Sequence, residues 1–397
     1  PASTHDFSTD PIELVLRGNA LMANGTTLGA DNGIAVATNL AIMEDRTLEH
    51  GPLELLFTVD EETGLTGANN LQAGFIESRI LLNLDSEEEG ALYVGCSGGR
   101  DSTGKWRVAY EQAPSGLNAI EVAVSGLRGG HSGLEIDKGR GNALKLLNRV
   151  VIALASTGAR LARIDGGNKR NAIPRDARAV VFVPDVPAAE HLIATWDATL
   201  RAELSSVEPG LRVSAAPSTA TDRRVLTARD QQQITRALAA LPHGVIKMSA
   251  DIPTLVETST NLAVVTTEGD LVTVATSQRS SVASEIEEIV GTVHAIFELA
   301  GAEVTHSDGY PGWKPNLDSP ILKRAIATFR SLYGRDPEVK AIHAGLECGI
   351  IGEKYPGIDM VSFGPTLEGV HSPDEKIIVD TVPRFWNFLL ALLKSVS

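Results

Sequence analysis

The chain has 397 residues, enough for two or more domains with a substantial core. Its net charge of -15 argues against a nucleic-acid partner, because phosphate binding needs basic patches, and it suits a protein that holds cations. Two cysteines, Cys96 and Cys348, cannot build a disulfide framework and point to a reducing, cytoplasmic compartment; no run of about 18 apolar residues offers a membrane-spanning helix.

The opening "PASTHDF" carries no Met and no signal-like apolar core, and reads as a cut or processed end. Helical spacing follows in "NGIAVATNLAIMED" (32–45), then a short continuous apolar run, "LELLFTV" (53–59), with the pattern of a buried strand. "RILLNLD" (79–85) and "ALYVGC" (91–96) predict two more strands. This is an α/β layout, with a mostly parallel sheet between helices.

The texture changes near residue 100. "NAIEVAVSGL" alternates as a half-exposed strand and leads into "GGHSG"; "NALKLLNRVVIALAS" predicts a helix, "ARAVVFVP" a strand and "AAEHLIATWDATLRAELSSV" a long amphipathic helix. "NLAVVTTEGDLVTVATS" (261–277) reads as a hairpin turning at Glu-Gly-Asp, and "VASEIEEIVGTVHAIFELAG" as a helix stopped at Gly301. From about residue 308 the first texture returns, with a helix in "SPILKRAIATFRSLYG", a strand in "DMVSFGP" and a terminal helix in "VPRFWNFLLALLKSV". The expected organisation is a split α/β domain, 1–99 and 308–397, interrupted by an α+β domain at 100–307.

Acidic residues gather where the α/β domain's elements end. Asp31 opens a helix in "TLGADNG", Glu61 and Glu62 follow "LLFTV", and Asp85 closes "ILLNLD"; His371 sits in a loop after a buried strand. In open α/β sheets, sites lie beyond the carboxyl ends of strands. Asp, Glu and His are ligand types for divalent metals, which would supply the charge that adjacent carboxylates need. Neighbouring side chains at a strand end diverge, so one glutamate can bind metal while the other serves as general base. Taken singly, each residue also has a plainer use. Asp31 could be an N-cap, Glu61 and Glu62 a solvated turn, and "DSEEEG" a charged loop.

The segments "TTLGADNGIA", "TVDEETG", "LNLDSEEEG", "GLRGGHSG", "RNAIPR", "IHAGLECG" and "GPTLEGVHSPDE" occur in this order. Together they resemble the aminoacyl-histidine (Xaa-His) dipeptidases, or peptidase D, within the co-catalytic zinc exopeptidases and aminoacylases, over nearly the whole chain. The resemblance implies hydrolysis of dipeptides, preferentially Xaa-His, by a two-metal-activated water. Related tripeptides or N-acyl amino acids are the alternative substrates. It implies two divalent ions, zinc or else cobalt or manganese, with Asp31 bridging them after a cis Asp31–Asn32 peptide and Glu62, Asp85 and His371 as terminal ligands. Glu61 would be the general base and His131 the oxyanion donor, while Asn171, Arg279 and Gly345 would hold the substrate's carboxylate and backbone. The inserted domain would act as a lid and as the contact of a cytoplasmic homodimer. The family's upstream His-Xaa-Asp motif has no counterpart here, since His306-Ser307-Asp308 lies at a non-matching position. A chain lacking that segment is expected to hold an incomplete metal site and to be weakly active, inactive or only metal-binding.

Overall fold

A computed structural model of the chain describes residues 5–62, 64–218 and 222–396. These fall into two compact units, Pro1–Cys96 with Gly312–Ser397, and Ser97–Pro311.

The first unit is built on a four-stranded sheet, in the order Glu338–Ile342, Ala91–Cys96, Asp359–Ser362, Ile80–Asn83. The two outer pairings are parallel and the central one is antiparallel. Parallel strands need crossovers, and the helices Pro320–Tyr333 and Glu347–Lys354 supply them. Pro320–Tyr333 starts where Ser319 accepts the Leu322 N–H and Pro320 occupies the first turn, and it stops at Gly334 in the left-handed region. Phe329, Phe363, Phe385 and Phe388 lock this helix and Thr381–Ser395 together through edge and tilted ring contacts. A second small sheet joins Leu14–Arg17, Ala20–Ala23, Lys376–Ile378 and Leu367–Glu368.

One expected strand is absent. Residues 53–59 form no strand ladder among the described residues, despite their apolar run. A strand exists only by pairing, and this segment borders open space: Leu53, Phe57 and Val59 are exposed.

The second unit carries a nine-stranded, antiparallel sheet whose centre is the hairpin Val256–Glu268 and Leu271–Ser280, closed at Gly269-Asp270. Four helices accompany the sheet: Ala143–Ala155, Val186–Glu203, Ala228–Ala240 and Ala283–Leu299. "ARDQQQITRALAA" thus adds a helix that its polar content concealed, with Gln231, Ile234 and Leu238 buried. The core joins Ile164, Val181, Leu144, Leu147, Val274 and Phe297, each at most 1% exposed. At about 25 cal/mol per Å² such burial is the main term holding the unit together.

Candidate metal centre and active site

The first unit brings the predicted acids to one place. The helix Ala30–Glu44 is irregular at its start. Asp31 and Asn32 lie outside helical φ/ψ, and the peptide between them is cis. Asn32 Oδ1 accepts the Ala35 N–H at 3.2 Å, so Asn32 does the capping and the Asp31 carboxylate is left for other use. After residue 59 the chain bends through Asp60, at φ 57, and the three adjacent acids part. Asp60 takes the Thr66 hydroxyl, Glu62 reaches His371, and Glu61 turns into the cluster. Any side chain at Gly67 would strike the Val59 backbone nitrogen at 2.5 Å, so the tight return of this turn requires glycine.

His371, at φ 60, places Nε2 3.0 Å from Asp31 Oδ2 and 3.0 Å from Glu62 Oε2. One ligand atom from each of Asp31, Glu62 and His371 lies within 4.8 Å of the others. Burial, then the charges of Glu62, Glu347 and Asp31, push the Glu61 carboxyl up to about 7, with His371 partly offsetting them. Burial and the charges of Asp31, Glu61, Glu347 and Glu62 push Asp85 up to about 8. His371 is raised despite its partial burial, because Glu62 and Asp31 stabilise the imidazolium. Carboxylates crowded this closely keep protons or call for a cation, and the oxygen and nitrogen donors fit a borderline divalent cation.

Two residues beyond the predicted set shape this cluster. Glu347, at the start of the helix Glu347–Lys354, is buried, accepts the Thr58 hydroxyl at 2.9 Å and is raised by burial. Glu375 is 2% exposed, and its carboxylate accepts the N–H groups of Leu28, Gly29 and Asp31. Gly345 lies in the loop just before Glu347. A cavity of about 860 Å³ opens beside the cluster, lined by Pro52–Thr58, the edge strand Ile80–Asn83 and, from helices, Ile42, Leu389 and Leu393.

The second unit holds His131, Asn171 and Arg279. His131 and Ala172 pair in a two-stranded ribbon, and the Ser132 N–H donates to Asn171 O at 2.8 Å. His131 Nδ1 accepts the N–H groups of Gly133 and Leu134, both at 3.2 Å, which leaves the ring proton on Nε2. Burial and the Arg279 charge lower its pKa, so a neutral ring presents an N–H donor. Gly130 sits at φ 139, where a side chain is strained, and a Cβ there would push on Arg140 Nη1 and Glu135 Oε2, both 2.5 Å away. Arg279 Nη1 donates to the Tyr310 hydroxyl at 2.9 Å, and its Nε is buried with no hydrogen-bond partner among the described residues. His306 is bound to His294 and Ser102 within this unit.

The model of peptidase family M20/M25/M40 matches residues 2–395. The chain belongs to that family. It is therefore a hydrolase of the metallopeptidase kind, and peptidases of this family depend on metal. It is 41% identical over 397 residues to the cytosol non-specific dipeptidase of Escherichia coli K12, covering 99% of this chain and 82% of that one. The crystal structure of aminoacylhistidine dipeptidase from Vibrio alginolyticus matches with a TM-score of 0.92 and 43% identity, covering 100% of this chain and 81% of that one. A Staphylococcus aureus tripeptidase, at 16% identity and TM-score 0.52 over 97% of this chain and 76% of its own, shares the fold alone. Among the described residues no helix is long and apolar enough to cross a membrane.

Proposed function

We propose that this protein hydrolyses dipeptides, with preference for a C-terminal histidine, at a two-metal site. The observation that carries the reading is the convergence of Asp31, Glu62 and His371 beside a Glu61 whose proton affinity sits near neutrality. The two relatives named for dipeptide and aminoacylhistidine cleavage support the substrate class. Zinc is the ion proposed, and Asp31, Glu62, Asp85 and His371 would hold it; cobalt or manganese would suit the same donors. When bound, such ions lower the pKa of water and polarise the scissile carbonyl.

Glu61 accepts a proton from the attacking water and later delivers it to the leaving amine, so that hydroxyl ends on the carbonyl carbon and hydrogen on nitrogen. A half-buried carboxyl beside the ligand cluster is placed for both transfers. His131 Nε2–H is the proposed donor to the developing oxyanion. Arg279 is the proposed partner of the substrate carboxylate, which its planar fork can bind through both oxygens, while Asn171 and Gly345 fix the backbone. The inserted unit is proposed as lid and dimer contact, and the cytoplasm as its location.

The cavity between 52–58 and the edge strand Ile80–Asn83 supports one more element of this reading. A further apolar strand of polypeptide seated there would pair with both flanks and end beside the acids.

The test is a panel of Xaa-His dipeptides, other dipeptides, tripeptides and acetylated amino acids, assayed with wild type and Glu61→Gln. Cleavage led by Xaa-His dipeptides, lost in Glu61→Gln with metal content intact, supports the reading. Glu61→Gln turning over at the wild-type rate would sink it, and a preference for tripeptides or acetylated amino acids would replace the substrate.

A further inference from the structure

We propose that Asn261 is a positioning residue, whose side-chain amide docks the ribbon carrying His131 and Asn171 onto the central strand of the second unit. The inference rests on the reading that those two residues address the substrate.

Strand Val256–Glu268 alternates its faces. Thr258 bonds Ser280 and Glu285, and Thr260 accepts from Gln278, which places both on the side of helix Ala283–Leu299. Asn261 therefore points to the opposite face, together with Ser259 and with Arg279, which stands across from Ser259 in the neighbouring strand. Asn261 is 1% exposed. Its Nδ2 donates to the carbonyl of Arg170 at 3.1 Å and to that of Ala172 at 2.8 Å. Two carbonyl oxygens can be met only by the NH2 end of the amide, which fixes its orientation. Those carbonyls flank Asn171 on either side.

The ribbon needs such an anchor. Its pairing is two residues long on each side, Gly130-His131 against Ala172-Ile173, and a ribbon of that length is not stable alone. Ile173 packs with Ile136 and Val256, and Arg170 pairs with Asp101 at 3.2 Å, so the attachment has an apolar, an ionic and an amide component. Of the three, only the amide grips the backbone on both sides of Asn171, and through the Ser132 N–H to Asn171 O bond it also sets the residue after His131.

Asparagine is a poor choice for strand stability. It is disfavoured in strands, and here Asn261 Oδ1 is buried with no hydrogen-bond partner among the described residues. A valine or threonine would pack there without that cost but could not hold two carbonyls. The retained amide is accounted for by what it holds.

The experiment compares Asn261→Asp, Asn261→Ser and Asn171→Ala with wild type. Asp keeps the size of Asn but turns an oxygen toward two carbonyls, whereas Ser removes the reach without adding charge. Hydrogen exchange at the Ser132 amide is read in each variant, and kcat and KM are measured on a dipeptide. The expected result is exchange at Ser132 on the order of tenfold faster in both Asn261 variants, with amides of strand Val256–Glu268 unchanged. The companion expectation is a kcat/KM lower by roughly a hundredfold, the scale for misplacing a substrate-holding group by about 1 Å. Asn171→Ala keeps both carbonyls and should leave Ser132 exchange at the wild-type rate while raising KM. Unchanged Ser132 exchange in the Asn261 variants overturns the inference, and so does faster exchange throughout the unit in both, which would mark a plain folding role. If Asn171→Ala leaves KM untouched, the substrate assignment falls instead. The exchange measurement needs no turnover and still decides whether Asn261 docks the ribbon.

Discussion

Glu375 holds the peptide N–H of Asp31 at 3.2 Å across 344 residues of sequence, and the same carboxylate takes the N–H groups of Leu28 and Gly29 at 2.8 and 2.9 Å. The loop that aims Asp31 is thus built around a buried acid from the other end of the chain. Glu375→Ala leaves three amides without an acceptor and should cost about 3 kcal/mol or more in a denaturant titration. Glu375→Gln keeps one oxygen for the Leu28 and Gly29 pair but sets an NH2 against the Asp31 N–H, so roughly half that loss is expected. Zinc affinity should fall on the order of tenfold or more in both, as it does when a group that orients a ligand is lost. Unchanged affinity with lowered stability would confine Glu375 to folding.

Removing metal should expose the repulsion among the site's acids. Glu61 and Asp85 have folded pKa values of about 7 and about 8, raised chiefly by burial and then by neighbouring carboxylates. Their unfolded values lie near 4. Between those limits the folded state binds more protons than the unfolded state, so stability is full below about pH 4 and is lost as pH rises through 7 to 8. The Tm of EDTA-treated protein should therefore fall across that window. Zinc should restore it most at the alkaline end, where the carboxylates are charged. A Tm that rises with pH in the metal-free protein would contradict the assigned burial of these groups.

A second titration runs the other way in the inserted unit. His243 is pushed down to about 4, by burial and then by the Lys145 charge. Asn142 Nδ2 lies 3.3 Å from His243 Nδ1, and an amide donor there requires a lone pair on that nitrogen. Lys145 caps the end of helix Ala228–Ala240 by donating to the carbonyls of Leu238, Ala239 and Leu241. The unfolded histidine, with pKa about 6.5, takes its proton first as pH falls. The contribution is complete above about 6.5 and is lost as pH drops toward 4, about 2 to 3 kcal/mol in all. His243→Gln should flatten this acid limb of the stability curve. An acid limb of wild-type slope in that variant would assign the effect to other groups.

Most of the longer helices and the strands with long apolar runs could be read from local pattern, because their signals are local; Ala228–Ala240 could not, since polar residues mask its buried face. Ser319-Pro320 and Gly334 bracket one helix, and "ALYVGC" forms a strand with the bounds its apolar run suggests. Ligand chemistry made Asp31, Glu62 and His371 a plausible metal group, but spacing alone left each a plainer use, and the motif order that resembles a known family decided between them. Glu375 and Asn261 are not visible in the sequence because each acts on backbone far away along the chain, which no periodicity records. Residues 53–59 were misread for the complementary reason. Their composition suits a strand, but pairing is a property of neighbours.

That misread segment leads to a measurable stoichiometry. That segment and the edge strand Ile80–Asn83 line one cavity of about 860 Å³, with Asp31, Glu61, Glu62 and Asp85 also in its lining. Asp31, Glu62 and His371 supply three ligand atoms close together, enough for one ion but few for two that each need about four donors. Equilibrating the 397-residue chain with zinc, removing the excess and counting metal by elemental analysis should give one ion or none per chain. Asp31→Asn should abolish what is bound, since that carboxylate touches His371 and is one of the three ligand groups drawn together. Two tightly held ions would mean that the site is complete without a further strand. His5 and the His294–His306 pair, whose nitrogens are 3.0 Å apart, would then be the next residues to substitute.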